Sequence, residues 1–239
     1  MVVIDQELCI GCGICVDYCP VDAFLLEDRE LQVDLDKCVE CSTCVRSGVC
    51  PVDALSMNTS FDELRGTRHY LSDPTTTKKL TGVPGRGTEE CKTNDVTGRI
   101  KRGEVGLGIE LGRPGVGTTF REVEKISMAL AKLGVSFEEQ NPVSALFVDE
   151  SGRLDEKMLD ERVLSGIVEA KIEMERIPEV IEVLRALEKD LETVFSLGMI
   201  CRFDEDESIP ALELIEASGI TIRENSKVNV GLGRPLTEV

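Results

Sequence analysis

Cys9, Cys12, Cys15 and Cys19, with Pro20 behind them, and Cys38, Cys41, Cys44 and Cys50, with Pro51 behind them, make up eight of the chain's ten cysteines. Each run begins C-x2-C-x2-C and ends in Cys-Pro. A cubane iron–sulfur cluster needs four thiolates at the corners of a small tetrahedron. A tight C-x2-C-x2-C loop reaches three of its irons and leaves the fourth ligand to come from elsewhere. The chemistry of such a group is one-electron transfer. Pro20 and Pro51 turn the chain after the last thiol, with φ fixed and no N–H to satisfy. Gly11, Gly13, Ser42, Thr43 and Gly48 are small enough for backbone N–H groups to approach cluster sulfides. Two other uses of cysteine fit less well. A disulfide framework belongs to secreted chains, whereas no secretory leader pattern is expected here and only Cys91 and Cys201 lie outside the runs. Structural zinc favours paired C-x2-C knuckles. A [3Fe–4S] centre would suit a run lacking one cysteine, and neither does.

Residues 1–57 resemble a bacterial-type two-[4Fe–4S] ferredoxin, down to the repeated halves Cys19-Pro20-Val21-Asp22-Ala23 and Cys50-Pro51-Val52-Asp53-Ala54. The resemblance implies two [4Fe–4S] clusters with crossed ligands. Cys9, Cys12, Cys15 and Cys50 would hold one, and Cys38, Cys41, Cys44 and Cys19 the other. One departure is that the second run has five residues before its last cysteine, against three in the first. The extra Arg46–Val49 segment is expected to bulge near the first cluster and change its exposure, so equal potentials are not expected.

The elements that must position these thiols occupy only the first quarter of a 239-residue chain. The length allows a ferredoxin module and one ordinary domain of ~150 residues. The expected division is 1–58 for the two-cluster module, 59–103 for a Gly/Thr-rich basic connector with its own order, and 104–239 for an α+β domain. No apolar run is long enough for a membrane span, and a cytoplasmic location in an anaerobe is expected. Aromatic content is 4% with no Trp, against nucleic-acid stacking platforms. The formal net charge of −18 argues against phosphate-backbone binding. Yet residues 65–102 carry nine Lys/Arg against four Asp/Glu. A basic strip inside an acidic chain suggests a small anionic ligand or an acidic partner.

From Glu104 the pattern is regular. Val105, Leu107, Ile109 and Leu111 alternate with Gly106, Gly108 and Glu110, predicting a strand with one nearly bare face. Thr119 and Glu122 suggest a capping box for a helix that Gly134 ends, followed by a short strand at 135–137. A second strand runs through Val168–Met174, a helix opens at Pro178, and Phe195, Leu197, Met199, Cys201 and Phe203 alternate as another strand. A helix at 209–218 and strands near 220–223 and 227–231 follow. Together these predict a ferredoxin-like βαββαβ sandwich with an appended αβ, an α+β class fold whose name implies no cluster. Residues 141–162 suggest a hairpin at Glu150-Ser151-Gly152 and a short helix.

Outside the runs, Arg86, Glu89, Glu90, Lys92, Asp95 and Arg99 form the densest polar constellation, and these with Arg113 are the candidate substrate contacts. The Gly112–Gly117 turn is neither a Walker A loop nor a dinucleotide fingerprint, since Gly112 comes one residue late after Gly106-x-Gly108. Gly-Arg-Pro recurs at 112–114 and 233–235, raising the prospect that Arg113 and Arg234 converge. Cys201 reads as a core thiol by its parity, Cys91 as a polar-segment thiol, and the single His69 as a surface residue. The segment Pro84–Arg99, running on to Gly117, is similar to one in iron–sulfur 6-hydroxynicotinate reductases, which implies a reductase-associated module. The leading expectation is an electron-transfer protein that serves a donor or acceptor protein, a reductase subunit, or a substrate on its own C-terminal domain. A self-contained ferredoxin-dependent reductase of a small, heterocyclic substrate and a ligand-binding redox sensor are the alternatives.

Overall fold

The structure is a computed structural model that describes residues 1–76, 94–113 and 115–222. Its first part is built twice over. The Asp5 carboxylate accepts hydrogen bonds from the N–H groups of Glu7 and Leu8, and that of Asp34 accepts from Asp36 and Lys37. These side-chain turns lead the chain into each cysteine run, because a short carboxylate can satisfy the backbone where no ladder does. Strands β1 (Val2–Ile4), β2 (Phe24–Glu27), β3 (Glu30–Val33) and β4 (Leu55–Met57) are joined through single helical turns α1 (Ile14–Asp17) and α2 (Thr43–Arg46). β1 pairs with β4 and β2 with β3, both antiparallel. The β2–β3 turn places Asp28 and Arg29 at φ 47° and 69°, the left-handed pair that a two-residue hairpin requires. Val2, Cys15, Phe24 and Leu31 form a small core between them.

Residues 59–76 and 94–103 are the described part of the expected connector. They contain a ten-residue helix, α3 (Glu63–Ser72), whose cap Asp62 accepts from the Arg65 N–H at 2.8 Å. Its buried residues are Gly66, Thr67, Arg68, His69, Leu71 and Ser72. That face is polar, so an apolar periodicity had nothing to register. A short helix, α4 (Asn94–Thr97), follows, and the Asn94 side chain brackets the Ile100 backbone through both N–H and C=O at 2.8 Å.

The remaining strands are β5 (Glu104–Leu111), β6 (Thr118–Thr119), β7 (Ser136–Phe137), β8 (Arg162–Val163), β9 (Gly166–Glu173) and β10 (Phe195–Ile200). With them come helices α5 (Phe120–Lys132), α6 (Ile177–Leu187) and α7 (Ala211–Ala217). Four strands make one sheet in the order β10-β5-β9-β7, every neighbouring pair antiparallel, while β6 and β8 form a separate ribbon. One face of β5 is wholly buried at Val105, Leu107, Ile109 and Leu111, against a core that includes Phe120, Val123, Ile126 and Leu130 of α5 and Ile177, Val180 and Leu184 of α6. Each such side chain contributes about 1.5–3 kcal/mol by leaving water. The middle of the opposite face is glycine, with Gly108 paired to Gly198, and Ile100 lies over Gly106 so closely that a Cβ there would meet its side chain at 2.3 Å.

Several local expectations are corrected. Thr119 makes no side-chain cap bond; the buried Glu122 accepts instead from Lys125 Nζ at 2.7 Å and the Glu192 N–H at 2.8 Å. Residues 141–162 hold two tight 3₁₀ turns, Ser144–Leu146 and Glu156–Met158, and the 148–153 turn carries no strands. β10 stops at Ile200, leaving Cys201 half-buried and Phe203 exposed beyond its end. Residues 220–222 are irregular rather than a strand, and 227–231 lie outside the described residues. Among the described residues no helix is long and apolar enough to cross a membrane.

Candidate iron–sulfur centres

Two cavities take up the eight thiols. One is lined by Cys9, Cys12, Cys15 and Cys50 together with Ile10, Gly11 and Gly13. The other is lined by Cys38, Cys41, Cys44 and Cys19 together with Val39, Glu40 and Ser42. Each therefore draws three cysteines from one run and one from the other. The odd thiols are held alike, for the Ala23 N–H donates to Cys19 Sγ and the Ala54 N–H to Cys50 Sγ, both at 3.2 Å. Asp22 and Asp53 turn the chain after them at φ 50° and 52°. None of the nine described cysteines is in a disulfide.

The thiols' surroundings test whether a cluster fits. Burial first, then the charges of Glu40 and neighbouring thiols, pushes Cys38 up to about 11. Burial and the other thiols of its set push Cys44 up to about 12. Cys15 is raised too, chiefly by burial. Four converging thiolates are costly there unless cationic charge sits among them, and iron supplies it. The residues present suit a four-thiolate cluster in each cavity.

The two loops are not equivalent. The first uses Gly11 and Gly13 at φ 62° and 78°; the second places Glu40 and Ser42 at the same steps, at φ 58° and 57°. Gly11 is obligatory, since a Cβ there would lie 2.2 Å from the Arg29 carbonyl oxygen. Glu40 tolerates the left-handed conformation, at a cost of about 1–2 kcal/mol, because its buried carboxylate accepts from Arg65 Nη1 at 2.5 Å. Arg68 Nη1 donates to the carbonyls of Leu35, Asp36 and Cys38 at 3.1–3.2 Å. His69 is no surface residue: its Nδ1 donates to the Glu40 carbonyl at 2.8 Å, and its ring lies 4.8 Å from that of Phe61. Arg46, expected to bulge towards the first cavity, donates to the Cys41 carbonyl at 2.8 Å and pairs with the buried Asp73 at 3.7 Å. Arg46, Arg65, Arg68 and His69 all serve the second loop.

The helix behind that loop, α3, also adjoins the C-terminal part of the molecule. Arg68 Nε pairs with Glu161, and Ser72 Oγ accepts from the Leu164 N–H at 2.9 Å. Leu71 is buried in the large core. The Gly112–Gly117 turn abuts the residues just after Cys19, with Pro20 Cβ 3.7 Å from a Cβ placed on Gly115 and Val21 Cγ1 3.3 Å from one placed on Gly117.

Of the candidate substrate contacts, only Arg99 and Arg113 have described side chains. Arg86, Glu89, Glu90, Cys91, Lys92 and Arg234 lie outside the described residues, as does the side chain of Asp95. Arg99, near the Glu104 end of β5, pairs with Glu138; Arg113, beyond the Leu111 end, pairs with Glu110 at 3.1 Å. The described arginines of the basic strip find acidic partners within the chain itself: Glu40, Glu161, Glu138 and Asp204. Sequence reasoning missed Glu40, Arg65, Arg68 and Asp73. The available signal was a helical stripe of polar residues, Arg65, Arg68, His69 and Ser72, behind an Asp cap.

Comparison with known proteins bears on the same residues. The family described as 4Fe-4S binding domain matches twice, over residues 2–25 and 35–53. A ferredoxin of Pyrobaculum islandicum is 45% identical over 56 residues, covering 23% of this chain and 50% of that protein. A ferredoxin of Methanocaldococcus jannaschii is 34% identical over 58 residues, 23% of this chain and 73% of its own length. The pyruvate synthase subunit PorD of Methanothermobacter marburgensis is 35% identical over 54 residues, 23% of this chain and 60% of its own. The chain thus spans about half the length of the first of these relatives. No solved structure matches. The two cysteine runs carry two [4Fe–4S] clusters.

Proposed function

We infer that this chain, which belongs through its N-terminal residues to the 4Fe-4S ferredoxins, is an iron–sulfur electron carrier that relays low-potential electrons to a partner oxidoreductase or to a substrate on its own C-terminal unit. Each cluster, when bound, supplies a one-electron couple. Cys9, Cys12, Cys15 and Cys50 hold the first and Cys38, Cys41, Cys44 and Cys19 the second. The observation that carries the reading is the crossed thiol lining of the two cavities, the second of which adjoins the turn between β5 and α5.

The chain's own residues divide the labour. At the first centre Cys12 is exposed, and Leu8, Ile10 and Ile14 beside it are 44–49% exposed. With Asp5, Glu7 and Asp17 nearby in sequence, that surface suits a partner with an apolar centre ringed by Lys and Arg. At the second centre Val39, Glu40 and Cys41 are buried, so water is largely excluded. We read the sheet of β5, β7, β9 and β10 with α5 and α6 as a ferredoxin-like α+β sandwich that receives the second centre. The likeness to a pyruvate synthase subunit favours an oxidoreductase subunit as the partner.

Anaerobically purified chain is expected to hold about eight irons, to be reduced by dithionite, and to reoxidise on adding a co-purifying oxidoreductase. Reduced protein that passes electrons to neither such an enzyme nor any small acceptor contradicts the reading.

A further inference from the structure

Resting on the reading that Cys38, Cys41, Cys44 and Cys19 hold a cluster, we propose that α3 is a positioning element that sets the reduction potential of that centre alone, with Arg68 and His69 as its working residues. In a trans peptide the C=O and the following N–H point in opposite directions. A carbonyl pinned on one side of a loop therefore turns its neighbour's N–H to the other.

In the segment 35–41, α3 pins four carbonyls. Leu35 accepts from Arg65 Nη2 at 3.0 Å and from Arg68 Nη1 at 3.1 Å, and Asp36 and Cys38 accept from Arg68 at 3.2 and 3.1 Å. Glu40 accepts from His69 at 2.8 Å. Val39, Glu40 and Cys41 line the cavity, whereas no residue of α3 does, so the helix stands behind the wall that faces the thiols. Holding Cys38 C=O and Glu40 C=O back against α3 turns the Val39 and Cys41 N–H groups away from it, to the thiol side. N–H groups directed at cluster sulfur stabilise the reduced, more negative state and raise the potential. His69 can act only as a donor here, because a carbonyl only accepts, and its burial between Phe61 and Tyr70 fixes the ring. The first loop has a weaker counterpart, a single bond of 2.8 Å from Arg29 to the Ile10 carbonyl, made at the surface.

The test is a redox titration of the anaerobically purified full chain followed by electron paramagnetic resonance, with the second centre identified as the step altered by Cys19→Ser. His69→Phe removes the donor and keeps a flat ring; His69→Gln keeps a donor. Arg68→Met combined with Glu161→Gln removes the other clamp without stranding a charge, and serves if His69→Phe loads poorly. At a fixed potential the reduced-to-oxidised ratio of the second centre is expected to fall about three- to tenfold in His69→Phe, tenfold being about 59 mV for one electron. The first centre stays at its wild-type value and His69→Gln recovers most of the loss. Fully loaded variants in which neither potential moves, or both move together, overturn the proposal. A wild-type chain holding only about four irons would instead overturn the two-cluster ligand assignment beneath it.

Discussion

The two cysteine runs repeat one another in ligands, turns and N–H···S bonds, yet they inhabit different surroundings. The first is a ferredoxin loop made of itself: glycines at the left-handed steps, one exposed thiol, and exposed Leu8, Ile10 and Ile14 at its rim. The second replaces both glycines by Glu40 and Ser42 and is backed by a helix from outside the repeat. The ligands decide what the centres are. The residues behind them decide how each differs, and those residues belong to the segment that joins the module to the rest of the chain.

The largest effects should come from the crossed cysteines. Cys50→Ser is expected to remove the first cluster and Cys19→Ser the second, each leaving about four irons by colorimetric assay. If either single change removed both clusters, the comparison of two separate centres would fail. Next come the left-handed steps. Gly11→Ala forces a Cβ to within 2.2 Å of the Arg29 carbonyl and should cost roughly 2–4 kcal/mol in anaerobic denaturation. Glu40→Gln, at the equivalent step, should cost about 3 kcal/mol by a different route, stranding Arg65 beside a neutral amide. Rescue of Glu40→Gln by Arg65→Met, with no such rescue available to Gly11→Ala, would sharpen the distinction.

A smaller effect depends on pH. Burial alone would raise Asp73, but bonds from Thr75 and Ser42 and the charge of Arg46 outweigh it and hold the carboxyl below its ordinary value. A depressed folded pKa contributes stability that is present above the unfolded value and lost as pH falls through the folded one. The stability gap between wild type and Asp73→Asn should therefore be full at neutral pH and close below about pH 4. A gap independent of pH would show that Asp73 acts by shape alone. Smallest of all, Ser72→Ala removes the acceptor for the Leu164 N–H and should cost roughly 1 kcal/mol, with both cluster potentials unchanged.

The clusters were legible because thiolate spacing is dictated by the cluster itself, and β5, β9 and α6 because their buried faces are apolar at strand or helix period. α3 was hidden for the opposite reason. Its inner face is Arg68, His69 and Ser72, residues that ordinarily mark a surface and here serve as the core of a joint. The basic character of residues 65–102 was visible, but not that its described arginines, Arg65, Arg68, Arg99 and Arg102, pair with Glu40, Glu161, Glu138 and Asp204 of the same chain. Pairings between distant residues leave no local pattern. The capping box at Thr119 failed similarly, since Glu122 was claimed by Lys125 and the Glu192 backbone.

Whether the second centre alone answers to α3 is decided by placing His69→Phe in the Cys19→Ser and Cys50→Ser backgrounds and titrating the remaining cluster. The account predicts a lowered potential in the Cys50→Ser background, where the second centre remains, and none in the Cys19→Ser background. A shift in both backgrounds, or only in the Cys19→Ser background, would contradict it.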